Sequence, residues 1–298
     1  MATSAPLRLA FTSRSDGAQV EEMRQSIIQF LNHQPGVKLS VFGSPDELKL
    51  GRRQVDMVIV LGGDGTILRT CRQLGSHQRP LLGVNLGRLG FLAELSPREF
   101  QQKFCRILAR DYQVVEHLMF ECRLYRADGT HEKYLGLNEV SILAGAALKI
   151  LHIDLAINGE PVTTYSCDGL IVSTPVGSTA HSLAAGGPLL RQDLQAFVIT
   201  PISPHTLTNR PLVDRADCVY TLTAPELPLG AMLVIDGQIK QPLQPGDRIE
   251  IRKASVNFQL VRLSDHSYYG TLHRKLGWAG QPHYEIREPS LDSSEELI

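Results

Sequence analysis

The chain has 298 residues, which exceeds one ordinary domain and favours two. Its 30 basic and 31 acidic residues nearly cancel, which excludes a strongly basic nucleic-acid-binding protein and a highly acidic chain. No apolar run approaches the ~18 residues that span a bilayer, and the first residues lack the apolar core of a signal peptide. The 5 cysteines form no CxxC pair, which argues against a disulfide framework or a zinc site. We therefore expect a cytoplasmic protein that binds neither nucleic acid nor membranes.

The first third of the chain alternates predicted strands and helices. Met57–Leu61 is apolar on both faces, as a strand of a helix-covered parallel sheet is. Val20, Met23, Ile27 and Leu31 recur at helical spacing. The predicted strands are 7–11, 37–42, 57–61 and 80–85, and the predicted helices are 20–31 and 66–76. This order predicts an α/β domain with an open, doubly wound parallel sheet.

From about residue 113 the pattern changes to strands joined by hairpin turns, which predicts an antiparallel, β-rich domain. The turn signals are Asp128-Gly129, Asn158-Gly159 and Asp236-Gly237. A helical segment begins near Ser178, and residues 266–278 have helical character. We expect an α/β domain over 1–112, completed by 272–298, and a β-rich domain over 113–271.

The sharpest motif is Gly62-Gly63-Asp64-Gly65-Thr66, between the buried strand 57–61 and the helix 66–76. Ligands of open α/β sheets bind at the carboxyl ends of the strands, where this turn lies. Glycines let the backbone approach an anion closely, and N–H groups at a helix start favour phosphate. In this setting Asp64 could orient a hydroxyl nucleophile, hold a metal, or do both; alternatively, it caps the helix. Neither GxxxxGK[ST] nor GxGxxG is present, which excludes those nucleotide-binding fingerprints.

Two further segments carry polar residues suited to a ligand. In 168–188 a strand enters Pro175-Val176-Gly177-Ser178-Thr179, and a short helix follows until Gly186-Gly187-Pro188. The hydroxyls of Ser178 and Thr179 could donate to phosphate or sugar oxygens, or one of them merely caps the helix. Asn138-Glu139 enters an apolar alternating run, and could equally be a solvated strand end.

Five segments occur in the same order as in NAD kinases, so the chain resembles that family over about residues 56–278. The GGDGT element alone is shared with diacylglycerol kinases, sphingosine kinases and phosphofructokinases. The 168–188 segment together with Asn138-Glu139 is more specific. The segments are Gly62–Thr66, Asn85–Leu92, Asn138-Glu139, 168–188 and Leu276-Gly277-Trp278.

The resemblance implies an activity and an architecture. The activity is Mg²⁺-dependent transfer of the ATP γ-phosphate to the 2′-hydroxyl on the adenosine ribose of NAD, giving NADP and ADP. The architecture is a Rossmann-like N-terminal domain and a β-rich, NAD-binding C-terminal domain, in a homodimer or homotetramer. ATP is the implied phosphoryl donor, and NAD and ATP are the implied small-molecule partners.

The resemblance also implies roles for individual residues. Asp64 resembles the catalytic base, and Gly62, Gly63, Gly65 and Thr66 resemble the contacts to the ATP phosphates. No residue is assigned to a protein-bound metal. The residues that resemble NAD contacts are Asp64, Gly65, Arg69, Asn138, Glu139, Lys149, Ser166, Asp168, Thr179, Ala180, His181, Ser182, Leu183, Ala184 and Gln238.

The sequence departs from the family pattern at three positions. Val176 stands where threonine is usual, His181 where tyrosine is usual, and Cys167 where serine is usual. A histidine could stack or hydrogen-bond in place of tyrosine, but its charge would vary near neutral pH. This bears on the choice between NAD and NADH. For Cys167 we favour a small buried residue over a reactive thiol.

Two other functions share parts of this pattern. A lipid kinase would share the GGDGT loop and the two-domain architecture. A protein that senses NAD or NADP without catalysis would share the binding residues. The near-zero net charge and the dinucleotide-family motifs disfavour the first, and the presence of Asp64 disfavours the second.

Overall fold

The computed structural model describes residues 5–14, 17–51, 54–87, 90–145, 150–206, 208–263 and 267–277. They divide into two compact units, 1–262 and 263–298. The division into domains at 112/113 and 271/272 stays a prediction, and the part of the predicted return segment from 278 onwards lies outside the described residues. None of the described helices is long and apolar enough to cross a bilayer.

The first unit begins with alternating strands and helices, as predicted. The strands are β1 (Leu7–Ser13), β2 (Val37–Val41), β3 (Met57–Leu61), β4 (Leu81–Val84) and β5 (Ala93–Leu95). The helices are α1 (Ala18–Asn32), α2 (Asp64–Leu74) and α3 (Pro97–Leu108), with a 3₁₀ turn at Pro45–Glu47. All five residues of β3 are buried, because α-helices cover both faces of a parallel sheet.

The rest of this unit is almost entirely strands. They are β6 (Gln113–His117), β7 (Phe120–Tyr125), β8 (His131–Gly136), β9 (Glu139–Leu143), β10 (Leu151–Ile157), β11 (Glu160–Cys167), β12 (Gly169–Ser173), β13 (Ala196–Ile202), β14 (Leu212–Arg215), β15 (Tyr220–Thr223), β16 (Met232–Ile235), β17 (Ile239–Pro242), β18 (Arg248–Lys253) and β19 (Phe258–Arg262). A 3₁₀ turn at Gly177–Thr179 and the short helix α4 (His181–Ala184) follow β12. The helix predicted near Ser178 is therefore present in two short pieces.

The strands form three sheets. The first has the order β2-β1-β3-β4-β19-β6, with β5 also paired to β4. The second has the order β11-β10-β15-β18-β7-β8, and the third β14-β13-β12-β9-β16-β17. All pairings in the second and third sheets are antiparallel. The predicted fold class, an α/β half followed by an antiparallel β half, is confirmed.

The first sheet is mixed, because β19 runs parallel to β4 and antiparallel to β6. Both β6 and β19 come from the β-rich stretch of the sequence, and β19 inserts between β4 and β6. The three predicted hairpin turns join β7 to β8, β10 to β11 and β16 to β17. At Asn158-Gly159 and Asp236-Gly237 both residues have positive φ, as two-residue hairpin turns require.

Two apolar cores support the unit. One lies between the second and third sheets and includes Phe120, Leu155, Phe197 and Tyr220. The other surrounds α2 and the first sheet, and it extends to Leu137 and Val176. The two polar segments that follow Leu137 and Val176 are therefore anchored to the core that carries the GGDGT helix.

The second unit contributes one described helix, α5 (Tyr268–Leu276), as the helical pattern at 266–278 predicted. The Ser267 hydroxyl caps its start by accepting from the Gly270 N–H at 3.1 Å. The helix ends at Gly277, whose φ of 65° is left-handed.

Candidate active site

The GGDGT turn connects β3 to α2 at the carboxyl end of a central strand. Gly63 precedes the first residue of α2, Asp64, and Gly62 donates its N–H to the Val84 carbonyl of the next strand at 2.8 Å. A Cβ on Gly62 would collide with the Thr66 hydroxyl, so this position requires glycine. The start of α2 therefore directs its N–H groups and its dipole at the loop, in the geometry that favours an anion.

The carboxylate of Asp64 bonds the loop before β5. Its Oδ2 accepts the Phe91 N–H at 2.8 Å, and its Oδ1 accepts the N–H groups of Leu92 and Ala93, both at 3.1 Å. Gly63 is the N-cap residue, and α2 has no side-chain cap hydrogen bond. The alternative in which Asp64 caps the helix is therefore wrong, because its carboxylate faces residues 91–93 instead.

A cavity of about 290 Å³ lies on one side of this loop. Gly62, Gly63, Asn85 and Gly87 line it, together with Arg14 at the end of β1. The Asn85 side chain accepts the Gly87 N–H at 2.9 Å, which shapes the turn after β4. The cavity is thus bordered by the backbone that follows β3 and β4 and by the guanidinium-bearing residue Arg14.

Of the predicted pair, Asn138 directly precedes β9 and Glu139 is its first residue, in the centre of the third sheet. Glu139 is buried, and its Oε2 has no hydrogen-bond partner among the described residues. Burial, with a smaller contribution from the neighbouring Asp236 carboxylate, raises the pKa of Glu139 to about 8. A buried carboxyl oxygen without a partner calls for an explanation, and a hydrogen bond to a polar ligand would supply one.

Two side-chain contacts join this pair to the GGDGT helix. Gln238 Nε2 donates to the Gly65 carbonyl at 2.9 Å. Arg72 Nη1 donates to Asp236 Oδ2 at 2.9 Å, and Asp236 Oδ1 accepts the Asn138 N–H at 2.8 Å. The predicted residues Asp64, Gly65, Gln238, Asn138 and Glu139 therefore belong to one connected cluster.

A larger cavity, of about 800 Å³, opens beside this cluster. The first turns of α2, the 3₁₀ turn at Pro45–Glu47, and residues of β8 and β17 line it. Arg14, Arg69 and Lys133 contribute cationic groups, whereas the guanidinium of Arg72, which also lines the cavity, is bonded to Asp236 and Gln238. The predicted NAD contact Arg69 is exposed here and pairs with Asp46. The concentration of positive charge suits a ligand that carries phosphates.

The segment after β12 packs against Asn138. A Cβ on Gly177 would collide with the Asn138 carbonyl, so glycine brings the two backbones together. Ser178 donates to the Pro175 carbonyl at 2.7 Å and accepts the Leu190 N–H at 2.9 Å, and Thr179 donates to the Val176 carbonyl at 3.0 Å. The N-cap of α4 is Ala180, so the alternative in which Ser178 or Thr179 caps that helix is wrong.

The remaining residues of this segment lie along the third sheet. Ser182 is buried and shares a hydrogen bond of 3.0 Å with Thr200, which pairs with Ile171 in the middle of β12. His181 and Ala184 are exposed, and Ala180 and Leu183 are half-buried. Val176, by contrast, is 2% exposed in the core around α2.

Ser166 and Asp168 lie at the opposite end of β12 from Gly177. Strand β12, which separates these two residues from Gly177, has five residues and spans roughly 17 Å. His205 Nε2 lies 3.0 Å from Asp168 Oδ1, and His152 Nδ1 lies 3.0 Å from Ser166 Oγ. The structure thus spreads the predicted NAD contacts along β12, and Lys149 lies outside the described residues.

Cys167, which lies between Ser166 and Asp168, belongs to the apolar core. Cys167 is fully buried, and burial raises the pKa of its thiol to about 11. The interpretation of Cys167 as a small buried side chain is confirmed.

The sequence analysis did not assign several residues of the cluster and its cavities to the site. Arg72 and Asp236 connect α2 to β9, and Arg14 and Lys133 line the cavities. For Arg72 a signal existed, since it lies one turn after Arg69 on the predicted helix. Asp236 directly follows the buried strand β16, but Asp-Gly predicts a turn first.

Two family models match the chain. The ATP-NAD kinase N-terminal domain matches residues 9–112, and the ATP-NAD kinase C-terminal domain matches residues 137–263. An NAD kinase of Rhodopirellula baltica is 51% identical over 229 residues, which cover 77% of this chain and 74% of that protein. An NAD kinase of Heliobacterium modesticaldum is 44% identical over 230 residues, which cover 77% of this chain and 81% of the relative.

Solved structures have the same architecture. An NAD kinase from Archaeoglobus fulgidus in complex with ATP superposes with a TM-score of 0.72 at 28% identity, covering 92% of this chain and 100% of that one. Yeast NADH kinase complexed with NADH has a TM-score of 0.84 at 23% identity, covering 99% of this chain and 91% of the yeast chain. At that identity the second comparison shows the shared fold alone.

Proposed function

The chain belongs to the NAD kinase family, and from this premise we propose its reaction: Mg²⁺-dependent transfer of the γ-phosphate of ATP to the 2′-hydroxyl on the adenosine ribose of NAD. The products are NADP and ADP. Asp64 is the general base, and the loop Gly62–Thr66 contacts the ATP phosphates. The relatives support the activity itself through their names, and the geometry of this chain supports the assignment of roles.

The position of Asp64 is the observation that carries the proposal. It starts α2 directly after two glycines, at the carboxyl end of β3. A carboxylate has about four acceptor positions, and three backbone N–H groups use three of them. The remaining capacity suits one hydroxyl. Phosphoryl transfer depends mainly on positioning and charge neutralisation, so orienting that hydroxyl and accepting its proton late is a sufficient role.

The distribution of the other residues suits a dinucleotide. Gln238 bonds Gly65 of the GGDGT loop, and Asn138 and Glu139 are linked to α2 through Asp236 and Arg72. Asp168 lies at the far end of β12. A ligand that reaches both ends must be elongated and must offer polar groups along its length. NAD has this shape, with its adenosine ribose at one position and its nicotinamide half at another. Residues 179–184 lie along the strand between the two ends.

The chemistry of the site fits a magnesium ion bound with the nucleotide. The part of the chain that the structure describes has no group of three or more His, Cys, Asp or Glu side chains able to hold a metal by themselves. Mg²⁺ usually keeps several waters and binds substrate phosphates, so the nucleotide phosphates and water would hold the ion while Asp64 keeps its remaining acceptor position for the hydroxyl. When bound, the ion neutralises charge on the transferred phosphoryl group.

A coupled assay tests the reaction. The purified chain is incubated with Mg²⁺ and ATP, NAD and NADH are offered separately, and NADP(H) is measured with a cycling enzyme specific for it. We expect product from NAD, and the ratio of NAD to NADH turnover reports the effect of His181. NAD binding without product would favour a sensor of NAD or NADP. Neither product nor binding would direct the search to lipid substrates.

Asp64→Asn tests the role of the base. We expect turnover to fall about 10²- to 10⁴-fold, the usual contribution of a general base, while NAD still binds. Because the Asn amide places an N–H against a backbone donor of residues 91–93, we expect a much smaller loss of affinity for NAD beside it. Calorimetric binding and the coupled assay measure the two quantities. Asp217→Asn is the control, because that carboxylate pairs with Arg215 at an exposed position and lines neither cavity. Near-normal turnover in Asp64→Asn would refute the assignment.

We further propose that the chain acts as a homodimer or homotetramer in the cytoplasm. Light scattering after size-exclusion chromatography tests the oligomeric state, and a monomeric mass for the active protein would contradict it.

A further inference from the structure

One arginine on the GGDGT helix reaches across to the β-rich half. The Arg72 side chain is 11% exposed, and its Nη1 donates to Oδ2 of Asp236 at 2.9 Å. Its Nη2 donates to Oε1 of Gln238. Gln238 in turn bonds the Gly65 carbonyl. Arg72 of α2 is therefore bonded to two residues of the β16–β17 turn, Asp236 and Gln238.

The carboxylate of Asp236 holds the segment 137–139, which includes the predicted NAD contacts Asn138 and Glu139. Besides Asn138 N–H, it accepts the N–H groups of Leu137 at 3.2 Å and Glu139 at 3.3 Å. Asp236 donates its own N–H to the Glu139 carbonyl at 2.9 Å. Three consecutive backbone N–H groups thus converge on one carboxylate, which is the pattern that fixes the start of a segment.

This carboxylate depends on Arg72. The Asp236 side chain has no exposed surface, and its backbone φ is 49°, a conformation that costs energy in a residue with a side chain. Burial raises the pKa of Asp236, and the Arg72 guanidinium opposes that rise. Removal of one partner of a buried pair leaves an uncompensated charge and is strongly destabilising to the local structure.

We infer that Arg72 and Asp236 form a positioning pair, which holds Asn138 and Glu139 at a fixed distance from Asp64 and thereby aligns the acceptor dinucleotide with the phosphate loop. The inference rests on the proposed function, because it assigns the pair to the acceptor of that reaction. Neither residue needs to touch the dinucleotide. Both act through the segment 137–139 and through Gln238.

The chain contains a second pair of the same kind that serves as a matched control. Arg126 Nη1 donates to Asp247 Oδ2 at 2.8 Å, and the two side chains are 18% and 2% exposed. Asp247 accepts the Gln244 N–H at 2.9 Å in the turn before β18. Charge, burial and turn-holding are shared by the two pairs. In the second pair, Arg126 directly follows β7 and Asp247 directly precedes β18, and neither residue lines the two cavities beside the GGDGT loop.

Four variants separate positioning from stability. In Arg72→Gln we expect the KM for NAD to rise at least tenfold while the KM for ATP stays within twofold. Arg72→Lys keeps the charge but offers one donor group in place of the guanidinium fork, so we expect it to recover at least half of the loss on a logarithmic scale. Asp236→Asn places an amide N–H against either Arg72 or the backbone donors, and should raise the KM for NAD as Arg72→Gln does. Arg126→Gln should lower the melting temperature comparably and leave both KM values within twofold.

The outcomes are distinguishable. Unchanged KM for NAD in both Arg72→Gln and Asp236→Asn, or an equal rise in Arg126→Gln, would overturn the inference. If Arg72→Gln does not fold, Asp236→Asn carries the test. If the wild-type chain phosphorylates no NAD, the proposed reaction fails, and calorimetric affinity for NAD in the same variants decides the inference alone. A tenfold loss of affinity confined to the Arg72 and Asp236 variants would support it, and equal affinity in all variants would overturn it.

Discussion

At the scale of single residues, Asp64 has a structural task beside its proposed chemical one. Its carboxylate accepts the N–H groups of residues 91–93, so the side chain that follows the two glycines of the GGDGT loop also positions the loop before β5. A residue with two tasks tolerates few substitutions. Changes in the loop should therefore affect the carboxylate as strongly as changes in the carboxylate affect the loop.

Gly90→Ala tests this dependence from the side of the loop. A Cβ at position 90 would collide with the Asp64 carboxylate, so the carboxylate or the loop must move. Overpacking of this kind costs about 1–3 kcal/mol, and we expect turnover to fall at least tenfold. The control is Gly129→Ala in the β7–β8 turn, where a φ of 86° also makes a side chain costly but no atom lies within 4 Å of the Cβ and the residue lines neither cavity. Equal activity of the two variants would show that the loop does not hold Asp64.

At the scale of elements, α3 is stabilised by a complete capping box. The Ser96 hydroxyl accepts the Glu99 N–H at 3.2 Å, and the Glu99 carboxylate accepts the Ser96 N–H at 2.8 Å. Phe100 and Phe104 of this helix contact Phe30 of α1 edge to face, at centroid distances of 6.2 and 5.4 Å. The helix therefore supports the first sheet through α1, away from the phosphate loop.

Ser96→Ala should remove the cap without affecting catalysis. We expect the free energy of unfolding to fall by about 1 kcal/mol, the usual value of a serine cap. Urea denaturation measures it, and Glu99→Gln serves as the control that keeps a side-chain acceptor at the third helical position. Turnover should stay within twofold in both variants. A loss of turnover larger than the loss of stability would place α3 in the catalytic machinery.

The elements that the sequence predicted are those with a strong local pattern. The buried strand β3, the helix α2 and the three hairpin turns follow from apolar runs, helical spacing and residues that accept positive φ. The helix α3 is readable from its capping residues and from Phe100, Phe104 and Ile107, which recur at helical spacing, but the sequence analysis did not predict it. The Arg72–Asp236 pair was not readable, since its members are 164 residues apart and no local pattern relates them. For the same reason the pairing of β19 with β4 emerges only in the folded chain.

At the scale of the whole molecule, the buried carboxyl group of Glu139 links folding to pH. In the folded state burial keeps its pKa near 8, whereas in the unfolded chain the group ionises near 4.5. Between these values the folded state binds one proton more than the unfolded state. The free energy of unfolding must therefore decrease as the pH rises through this interval.

Glu139→Gln should remove this decrease, because an amide does not ionise. We expect the melting temperature of the wild type to fall relative to that of the variant between pH 5 and pH 8, by an amount that reflects a few kcal/mol. Thermal unfolding in a series of buffers measures the difference. The melting temperature of Glu226→Gln, a substitution at an exposed position, should depend on pH as that of the wild type does. A constant offset between wild type and Glu139→Gln would refute the linkage.

The position of β19 in the first sheet has a consequence for folding during synthesis on the ribosome. The first sheet needs residues 258–262 to fill the position between β4 and β6, yet β4 is complete by residue 84. More than half of the chain must be synthesised before that gap closes. Until then β5 pairs with β4 at Gly83 and Val84, but β6 has no strand partner in the first sheet, and unpaired strand edges are prone to aggregation. A fragment that stops before β19 would keep the exposed edge of β6.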